Sequence, residues 1–280
     1  MKLHVATALS LFGFSLPSSP VFSQCSDAGV CAIGSKRSAL HHEIGVSYIY
    51  GKSKPDDGLS FNTVQVDATI HVLFDSRVSI LLPWTKVNGP SGSVSGIGDL
   101  SVFLNQTVRS DEAGVLSLQI GAKLATGPSN SGNLPQAYQP GLGTNDLILG
   151  ASYETDPWLF ALGYQFSRDR SNNTATQLKR GDDLLLRAGY RHEFEEFTVT
   201  AEVLAINRLQ LSSVVVPGSN VFAEVPESDQ FQVNLLGRIS YPVGSYSVQG
   251  LVAFPILNRK VNIDGLTRSF TLSVGIQKEF

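Results

Sequence analysis

Three things are scarce in this sequence: charged residues, cysteines and long hydrophobic runs. Asp, Glu, Lys and Arg together make up 16% of the 280 residues, whereas soluble domains usually contain about 25%. The formal net charge is only −3, which argues against a nucleic-acid partner and against electrostatic anchoring to a membrane surface. With two cysteines in the whole chain, disulfides cannot hold most of the fold together.

The N-terminus has the pattern of a secretory signal. Lys2 precedes an apolar run at residues 5–16, which is shorter than the roughly 20 residues of a membrane-spanning helix. Val21 and Ser23 then mark a cleavage site directly after Ser23. We therefore predict a cleaved signal peptide at residues 1–23.

The two cysteines lie just after this cleavage site. Export places them in an oxidising compartment, where Cys25 and Cys31 are predicted to form a small disulfide loop. Gln24 stands where a lipid-attachment signal has a small residue, so we predict no lipid on Cys25. Residues 24–40 are thus predicted to form a short periplasmic segment ahead of the main domain.

From residue 41 onward, apolar residues alternate with polar ones instead of recurring at helical spacing. Leu100, Val102 and Leu104, for example, share one face of a single segment. Most of these segments are long enough for a tilted strand to cross a membrane, which takes about 9–11 residues. We predict about twelve strands, near residues 41–51, 60–73, 76–84, 98–109, 115–126, 144–154, 158–168, 181–194, 197–210, 228–242, 245–257 and 266–280.

The connections between these segments alternate between short and long along the whole chain. Short turns, such as those at residues 75–76 and 195–196, alternate with long polar loops such as "TKVNGPSGSVSGI" and "LSSVVVPGSNVFAEVPE". Outer-membrane barrels have this arrangement, with tight turns in the periplasm and longer loops outside. The barrel must close, because hydrocarbon contains no water to pair with an open sheet edge. We therefore predict an all-β, up-and-down antiparallel transmembrane barrel over residues 41–280, in the outer membrane of a Gram-negative-type bacterium.

Aromatic residues cluster at the predicted strand ends, as in the interfacial girdles of membrane barrels. They are Tyr48, Tyr50, Phe74, Trp84, Trp158, Tyr190, Phe194, Phe197, Tyr241 and Tyr246. The chain finishes with apolar residues at alternate positions, Leu272, Val274 and Ile276, followed by a final Phe280. We predict that Phe270, Leu272, Val274 and Ile276 face lipid, with the aromatic ring of Phe280 at the periplasmic interface.

Several short strings resemble one family of outer-membrane barrels. "SRVSILLPW", "GIGDLSVFLNQTV", "GAKLATGPSN", "GLGTNDLILGASYE" and "FALGYQFSR" are similar to motifs of the phenol-degradation meta-pathway transporter family, and the likeness covers most of residues 41–280. The resemblance implies a β-barrel involved in the uptake of small, often hydrophobic compounds. The last strand also resembles the signal that the barrel-assembly machinery recognises, carried here by Leu272, Val274, Ile276 and Phe280. Lys278 departs from that signal, which has an apolar residue at this position.

If the apolar faces contact lipid, the opposite faces line the lumen. Their charged members carry both signs, so no ring of one sign selects cations or anions. Two interpretations remain open: a polar pore with a mixed-charge constriction, or salt bridges that fill and stiffen the barrel. Twelve strands lie between the roughly eight that side chains fill and the roughly 16–18 that leave an aqueous channel. The candidates for lining the lumen are Asp67, His71, Arg77, Asp99, Lys123, Glu154, Arg187, Arg191, Glu202 and Arg238.

These two interpretations predict different functions. A passage through the lumen favours a passive channel or transporter for small molecules, including hydrophobic or aromatic ones. A filled lumen favours a structural or surface-interaction barrel, whose external loops, notably residues 127–143 and 211–227, contact partners.

The sequence shows no pattern typical of catalysis or metal binding. A Ser–His hydrolase needs a base near its nucleophile, and none of the histidines (His4, His41, His42, His71 and His192) has a serine two residues away. His41 and His42 lack further ligands for a metal. The glycine-rich "GPSGSVSGIGD" leads into a strand, whereas a phosphate-binding loop leads into a helix. We therefore predict no enzymatic activity, cofactor or metal, and expect the lipid bilayer and the assembly machinery as partners.

Overall fold

The alternating segments form one antiparallel barrel in the computed structural model, which describes residues 41–73 and 75–280. The predicted signal peptide, the segment 24–40 with its disulfide, and Phe74 lie outside the described residues. Within the described part of the chain, no helix is long and apolar enough to cross a membrane.

Strands account for most of the described residues, and twelve of them close the barrel. The elements are β1 (Glu43–Lys52), β2 (Ser60–His71), β3 (Ser76–Gly89), β4 (Gly92–Ile97), β5 (Leu100–Asp111), β6 (Gly114–Leu124), two 3₁₀ turns (Ser131–Asn133 and Gln136–Tyr138), β7 (Asp146–Thr155), β8 (Trp158–Ser167), β9 (Asp183–Glu193), β10 (Thr198–Arg208), β11 (Ser213–Val215), β12 (Phe222–Glu224), β13 (Phe231–Val243), β14 (Tyr246–Leu257) and β15 (Phe270–Glu279). β4, β11 and β12 lie in the long connections, and the remaining strands form the barrel wall. The predicted twelve-stranded up-and-down barrel is confirmed.

The ring closes between the first and last strands. β1 pairs with β15 along its whole length, from Glu43 opposite Glu279 to Lys52 opposite Phe270, and it pairs with β2 on its other side. Each strand of the wall therefore has a hydrogen-bonded neighbour on both sides, as hydrocarbon requires. The start of β1 and the end of β15 both lie at the end of the barrel that carries the short turns. Outer-membrane barrels place this end in the periplasm.

The prediction of a loop over "TKVNGPSGSVSGI" is wrong in part, because much of this segment continues the sheet as the end of β3 and as β4. β3 runs on to Gly89, which lies opposite Gly92 at the start of β4. Gly92 has a φ of 140°, a conformation that favours a residue without Cβ. Val87 and Val94 are buried on the inner side of this hairpin, so the apolar alternation continues into it. A smaller hairpin, β11–β12, lies within the loop predicted at 211–227.

The outward face of the wall is apolar. On β15, Leu272, Val274 and Ile276 are 44%, 55% and 51% exposed, whereas Thr271 and Ser273 between them are buried. Other strands repeat this alternation, so exposed apolar side chains surround the barrel. A patch of this size is foreign to a soluble monomer, but it suits a surface in contact with hydrocarbon.

Aromatic side chains pack together at the short-turn end. The rings of Trp158 and Tyr190 lie 5.1 Å apart in a T-shaped arrangement. Lys278, the residue that departs from the assembly signal, lies with its amine 4.7 Å from the ring centroid of Phe280 and 5.6 Å from that of Tyr246. Cation–π attraction thus holds this amine at the membrane boundary, where the lysine stem stays in contact with apolar surface.

We expect deletion of Phe280 to reduce insertion into the outer membrane. The backbone N–H of Phe280 donates to the carbonyl of His42, and its ring is 60% exposed, so the residue closes the last rung of the β1–β15 seam while its ring remains available for recognition. The folded fraction in outer-membrane extracts, read from heat-modifiable gel mobility, measures the effect. Phe280→Tyr is the control and should insert normally. Normal insertion of the deletion variant would show that the terminal aromatic residue is dispensable.

Candidate functional site

The inward-facing side chains of the barrel form three layers. A charged layer lies at the short-turn end, an apolar layer lies across the middle, and a second charged layer lies at the long-loop end. Successive residues of a strand point to opposite faces, so each strand contributes to these layers at every second position. The lumen is therefore the candidate functional site.

The middle layer is apolar, which the sequence analysis missed. We call it the apolar belt: Ile49, Leu81, Phe103, Ile148, Ala161, Leu185, Leu204, Ile206, Leu236, Leu251 and Ala253. Leu81, Phe103 and Leu185 are completely inaccessible to solvent, so the belt closes the middle of the lumen. A Cβ on Gly121 would lie 2.3 Å from the Phe103 ring, so the glycine makes room for that ring. The sequence signal was the unbroken apolar run, as in "SILLPW" and "DLLL", which breaks the alternation.

One side of the lumen has Ile49 of β1 as its large apolar side chain at this height, between Ser273 and Thr63. Around it, β15, β1 and β2 point small or polar residues inward, and we call these the polar strip: Thr271, Ser273, Ser47, Thr63 and Gln65. Thr63 and Thr85 share a hydrogen bond between their hydroxyl groups at 2.9 Å. The strip leads to a cavity of about 40 Å³, which lies between the wall and two long loops that fold inward. Gln139, Asp264 and Arg268 contribute the polar groups of those loops.

The charged layer at the short-turn end contains most of the predicted lumen residues. Glu202 of β10 lies 3.0 Å from Arg238 and 3.7 Å from Arg187. Arg191 lies 3.7 Å from Glu154. Glu202 thus pairs with arginines of the two neighbouring strands, whereas Arg191 of β9 reaches Glu154 of β7 across the intervening β8. The mixed-sign composition noted in the sequence becomes a set of ion pairs.

Three further predicted residues lie on the inward face near this end. Asp67 of β2 is buried, and its carboxylate occupies the space that a Cβ on Gly45 would need. His71 is half-buried at the end of β2, where it lies opposite Arg77 of β3. These three side chains follow the same alternation along their strands as the ion-paired residues.

The charged layer at the long-loop end is a buried network of ion pairs, which we call the latch. Its closest pairs are Lys123–Asp146 at 2.6 Å, Arg180–Asp183 and Arg208–Asp264 at 2.9 Å, Arg208–Asp183 at 3.0 Å, Arg180–Asp146 at 3.2 Å, Arg180–Asp264 at 3.3 Å and Arg259–Asp183 at 3.4 Å.

The latch ties two loops to the wall from the inside. Lys123, Asp146, Asp183 and Arg208 lie at the ends of barrel strands, whereas Arg180 comes from the β8–β9 loop, and Arg259 and Asp264 come from the β14–β15 loop. Arg180, Arg259 and Asp264 were absent from the sequence-based candidates, because charged loop residues are usually solvated. Their only sequence signal was the concentration of charge in "LKRGDD" and "NRKVNIDG".

Burial and the neighbouring charges of the latch shift the pKa values of Asp264 and Arg259. Burial by itself would raise the pKa of Asp264, but the guanidinium groups of Arg208, Arg180 and Arg259 together hold that pKa below its usual value. Burial, followed by the positive charge of Arg208, lowers the pKa of Arg259 to about 10. Both side chains therefore remain charged at neutral pH.

Asp99 fixes a third loop inside the barrel. Its carboxylate accepts hydrogen bonds from the backbone N–H groups of Leu142, at 2.7 Å, and Gly127, at 3.2 Å. Burial raises the pKa of Asp99, although the charge of Lys123 and these two hydrogen bonds oppose the rise. The loop 127–143 consequently folds into the lumen, where Tyr138 is buried against β2 and β3.

No group of three or more His, Cys, Asp or Glu side chains within residues 41–73 and 75–280 is arranged to hold a metal ion. His42 accepts a hydrogen bond at Nδ1 from the backbone N–H of His71. His192 lies exposed at the end of β9, with its ring against Phe194.

Solved structures share this barrel fold. An outer membrane channel from Pseudomonas putida F1 matches with a TM-score of 0.66 at 14% identity, covering 88% of this chain and 97% of that chain. The NanC porin matches with a TM-score of 0.51 at 9% identity, covering 85% of this chain and 100% of that chain. The transport unit of the autotransporter AIDA-I from Escherichia coli matches with a TM-score of 0.50 at 14% identity, covering 88% of this chain and 92% of that chain. No protein-family model matches the chain, and no curated protein matches it in sequence.

These likenesses define the class of the protein. The identities are low, so what is shared is the architecture of an outer-membrane β-barrel, and the protein belongs to that structural class. The resemblance of its short motifs to the phenol-degradation meta-pathway transporter family stays a prediction.

Replacing Glu202 with alanine should destabilise the barrel by about 3–5 kcal/mol, because it leaves two buried guanidinium groups without their shared carboxylate. Denaturant unfolding followed by the fluorescence of Trp84 and Trp158 measures the change. Asp111→Ala is the matched control: it also removes one carboxylate from an arginine pair, but this pair is exposed at a turn and contributes little. Equal unfolding midpoints for the two variants would mean that water already solvates Glu202.

Proposed function

We propose that this protein is an outer-membrane channel that lets small molecules, including hydrophobic or aromatic ones, pass through its lumen. The observation that carries the proposal is the chemistry of the latch. A buried network of ions is a poor way to stabilise a permanently filled barrel, since apolar residues of similar volume stabilise an interior as well or better. Ion pairs have one advantage, because both partners regain favourable hydration when they separate into water. The latch therefore suits a closure that opens.

The polar strip supports a route past the apolar belt. The strip is built from short or polar side chains, so displacement of Ile49 among them would open a path beside β15, β1 and β2. The opposite side of this path is the apolar belt, which excludes hydrated ions by dewetting. A path with one polar and one apolar side fits a small amphipathic molecule. Beyond this path, the charged layer at the short-turn end leads to the periplasm.

The competing proposal is a structural or surface-interaction barrel, and the complete burial of the belt favours it. In that case the external loops would carry the function. The loop 127–143 is bound inside the lumen through Asp99, which leaves the loop 211–227 as the candidate contact surface. Val221 and Phe222 in that loop are 64% and 46% exposed.

Single-channel recording in planar bilayers distinguishes these proposals. We expect the mature protein to give brief, infrequent current steps, because the apolar belt closes the lumen. Asp264→Asn removes the charge shared by Arg180 and Arg208 and should raise the open probability by roughly tenfold or more, which corresponds to weakening the closed state by about 1.4 kcal/mol. Asp111→Asn, at an exposed turn, should behave like wild type.

Flux of neutral aromatic solutes into proteoliposomes complements the electrical recording, because a dewetted path can pass such solutes without current. Repeated insertion with neither current nor solute flux, in wild type and in Asp264→Asn, would contradict the channel proposal.

The latch should respond to acid only at low pH. The pKa of Asp264 is lowered in the folded protein, so its carboxylate stabilises the closed state above the unfolded pKa of about 3.9, and this contribution is lost as the pH falls through the lower folded value. We therefore expect the open probability to be constant between about pH 5 and 8 and to rise only below about pH 4. A transition at higher pH in these recordings would instead point to Asp99, whose pKa burial raises and whose carboxylate holds the loop 127–143.

A further inference from the structure

Arg259 is a buried cation with incomplete pairing. Its side chain is 2% exposed, and its Nη2 lies 3.4 Å from the carboxylate of Asp183. Nε and Nη1 are buried and have no hydrogen-bond partner among the described residues. A buried donor without an acceptor is unfavourable, and more so when the group is charged.

The carboxylates around Arg259 are already engaged by other cations. Asp183 also contacts Arg180 at 2.9 Å and Arg208 at 3.0 Å, and Asp264 contacts the same two arginines. Three guanidinium groups thus share two carboxylates. The third carboxylate of the latch, Asp146, lies 2.6 Å from Lys123, so the latch as a whole contains four cations and three carboxylates.

Charged groups of both signs lie near the latch, and Asp57 accepts a hydrogen bond from Asn262 of the loop that carries Arg259. The carboxylate of Asp99 acts on Lys123, whereas the charges that act most strongly on Arg259 are those of Arg208, Asp183, Asp264 and Arg180. The amine of Lys54, from the β1–β2 loop, donates a hydrogen bond to the backbone carbonyl of Arg259, which brings another positive charge to the same loop. One anion would balance the local charge and accept from the unused N–H groups.

We propose that Arg259 forms an anion-binding subsite at the long-loop end of the lumen, which takes the carboxylate of a small solute as the loops open. This inference rests on the proposed channel function for its role, but binding itself does not require conduction. A single excess charge fits a monoanion, and a charge-assisted hydrogen bond to a guanidinium is the usual way to hold a carboxylate.

The neighbouring cavity favours an anion with an apolar body. The β14–β15 loop that carries Arg259 also lines this cavity with Leu266 and Arg268, and the wall adds Phe61. Arg268 lies over the Phe61 ring at 4.5 Å. A solute with a carboxylate at one end and an apolar ring at the other would place the charge at Arg259 and the ring towards Leu266 and Phe61.

Binding of benzoate to the purified, folded barrel in detergent tests this proposal. Saturation-transfer difference NMR should show saturable benzoate binding in wild type, with much weaker binding of the neutral isostere benzamide. Arg259→Gln should weaken benzoate binding by roughly tenfold or more. Arg259→Lys keeps the positive charge but has fewer donors, so its affinity for benzoate should lie between those of wild type and Arg259→Gln. Arg109→Gln, which removes an exposed arginine at a turn, should bind as wild type does. Heat-modifiable gel mobility confirms that each variant is folded.

The outcomes separate this inference from the channel proposal. Unchanged benzoate affinity in Arg259→Gln would overturn the subsite, as would equal binding of benzoate and benzamide. Displacement of benzoate by chloride as effectively as by acetate, at equal ionic strength, would replace the carboxylate assignment with a simple inorganic anion site. Benzoate binding that depends on Arg259 in a barrel that passes neither current nor solute would uphold the subsite and overturn the channel.

Discussion

Backbone hydrogen bonding across the β1–β15 seam is the constraint on which the rest of the structure depends. In hydrocarbon, an N–H or C=O group at an open sheet edge would have no partner, so the first and last strands must meet. Their continuous pairing from Glu43 to Lys52 closes the ring, and closure with twelve strands sets the width of the lumen. The alternation of side chains then sends one residue set to lipid and the other inward.

The closed ring creates a second problem, which is how to fill an interior lined by both charged and apolar groups. The barrel separates them by height. Apolar side chains meet in the middle, where they exclude water, and ions occupy the two ends, where they find partners of opposite sign. The inward loops complete the layer at the long-loop end, where their charged side chains pair with those of the wall strands. Arg259 is the member of that layer whose donors remain partly unused.

The placement of charge and apolar surface also bears on movement. Apolar contacts in the belt lose stability when water reaches them, whereas the ion pairs of the latch exchange one polar environment for another. If the barrel conducts as proposed, opening would begin at the latch and proceed along the polar strip, where Ser47, Ser273 and Thr63 offer little bulk. The belt opposite this strip remains packed and gives the wall its rigidity.

The sequence by itself determined the strand number, the order of long and short connections, and the face on which residues such as Glu202 and Arg238 lie, because alternation is a local property of each strand. Their pairing needed the register, since Arg238 lies opposite Thr200 and meets Glu202 only diagonally. The latch needed the tertiary structure, because Arg259 and Asp183 are 76 residues apart and come together only when a loop folds inward. Whether a charged loop residue faces water or the lumen depends on the space that the closed barrel leaves, and no local pattern encodes that space.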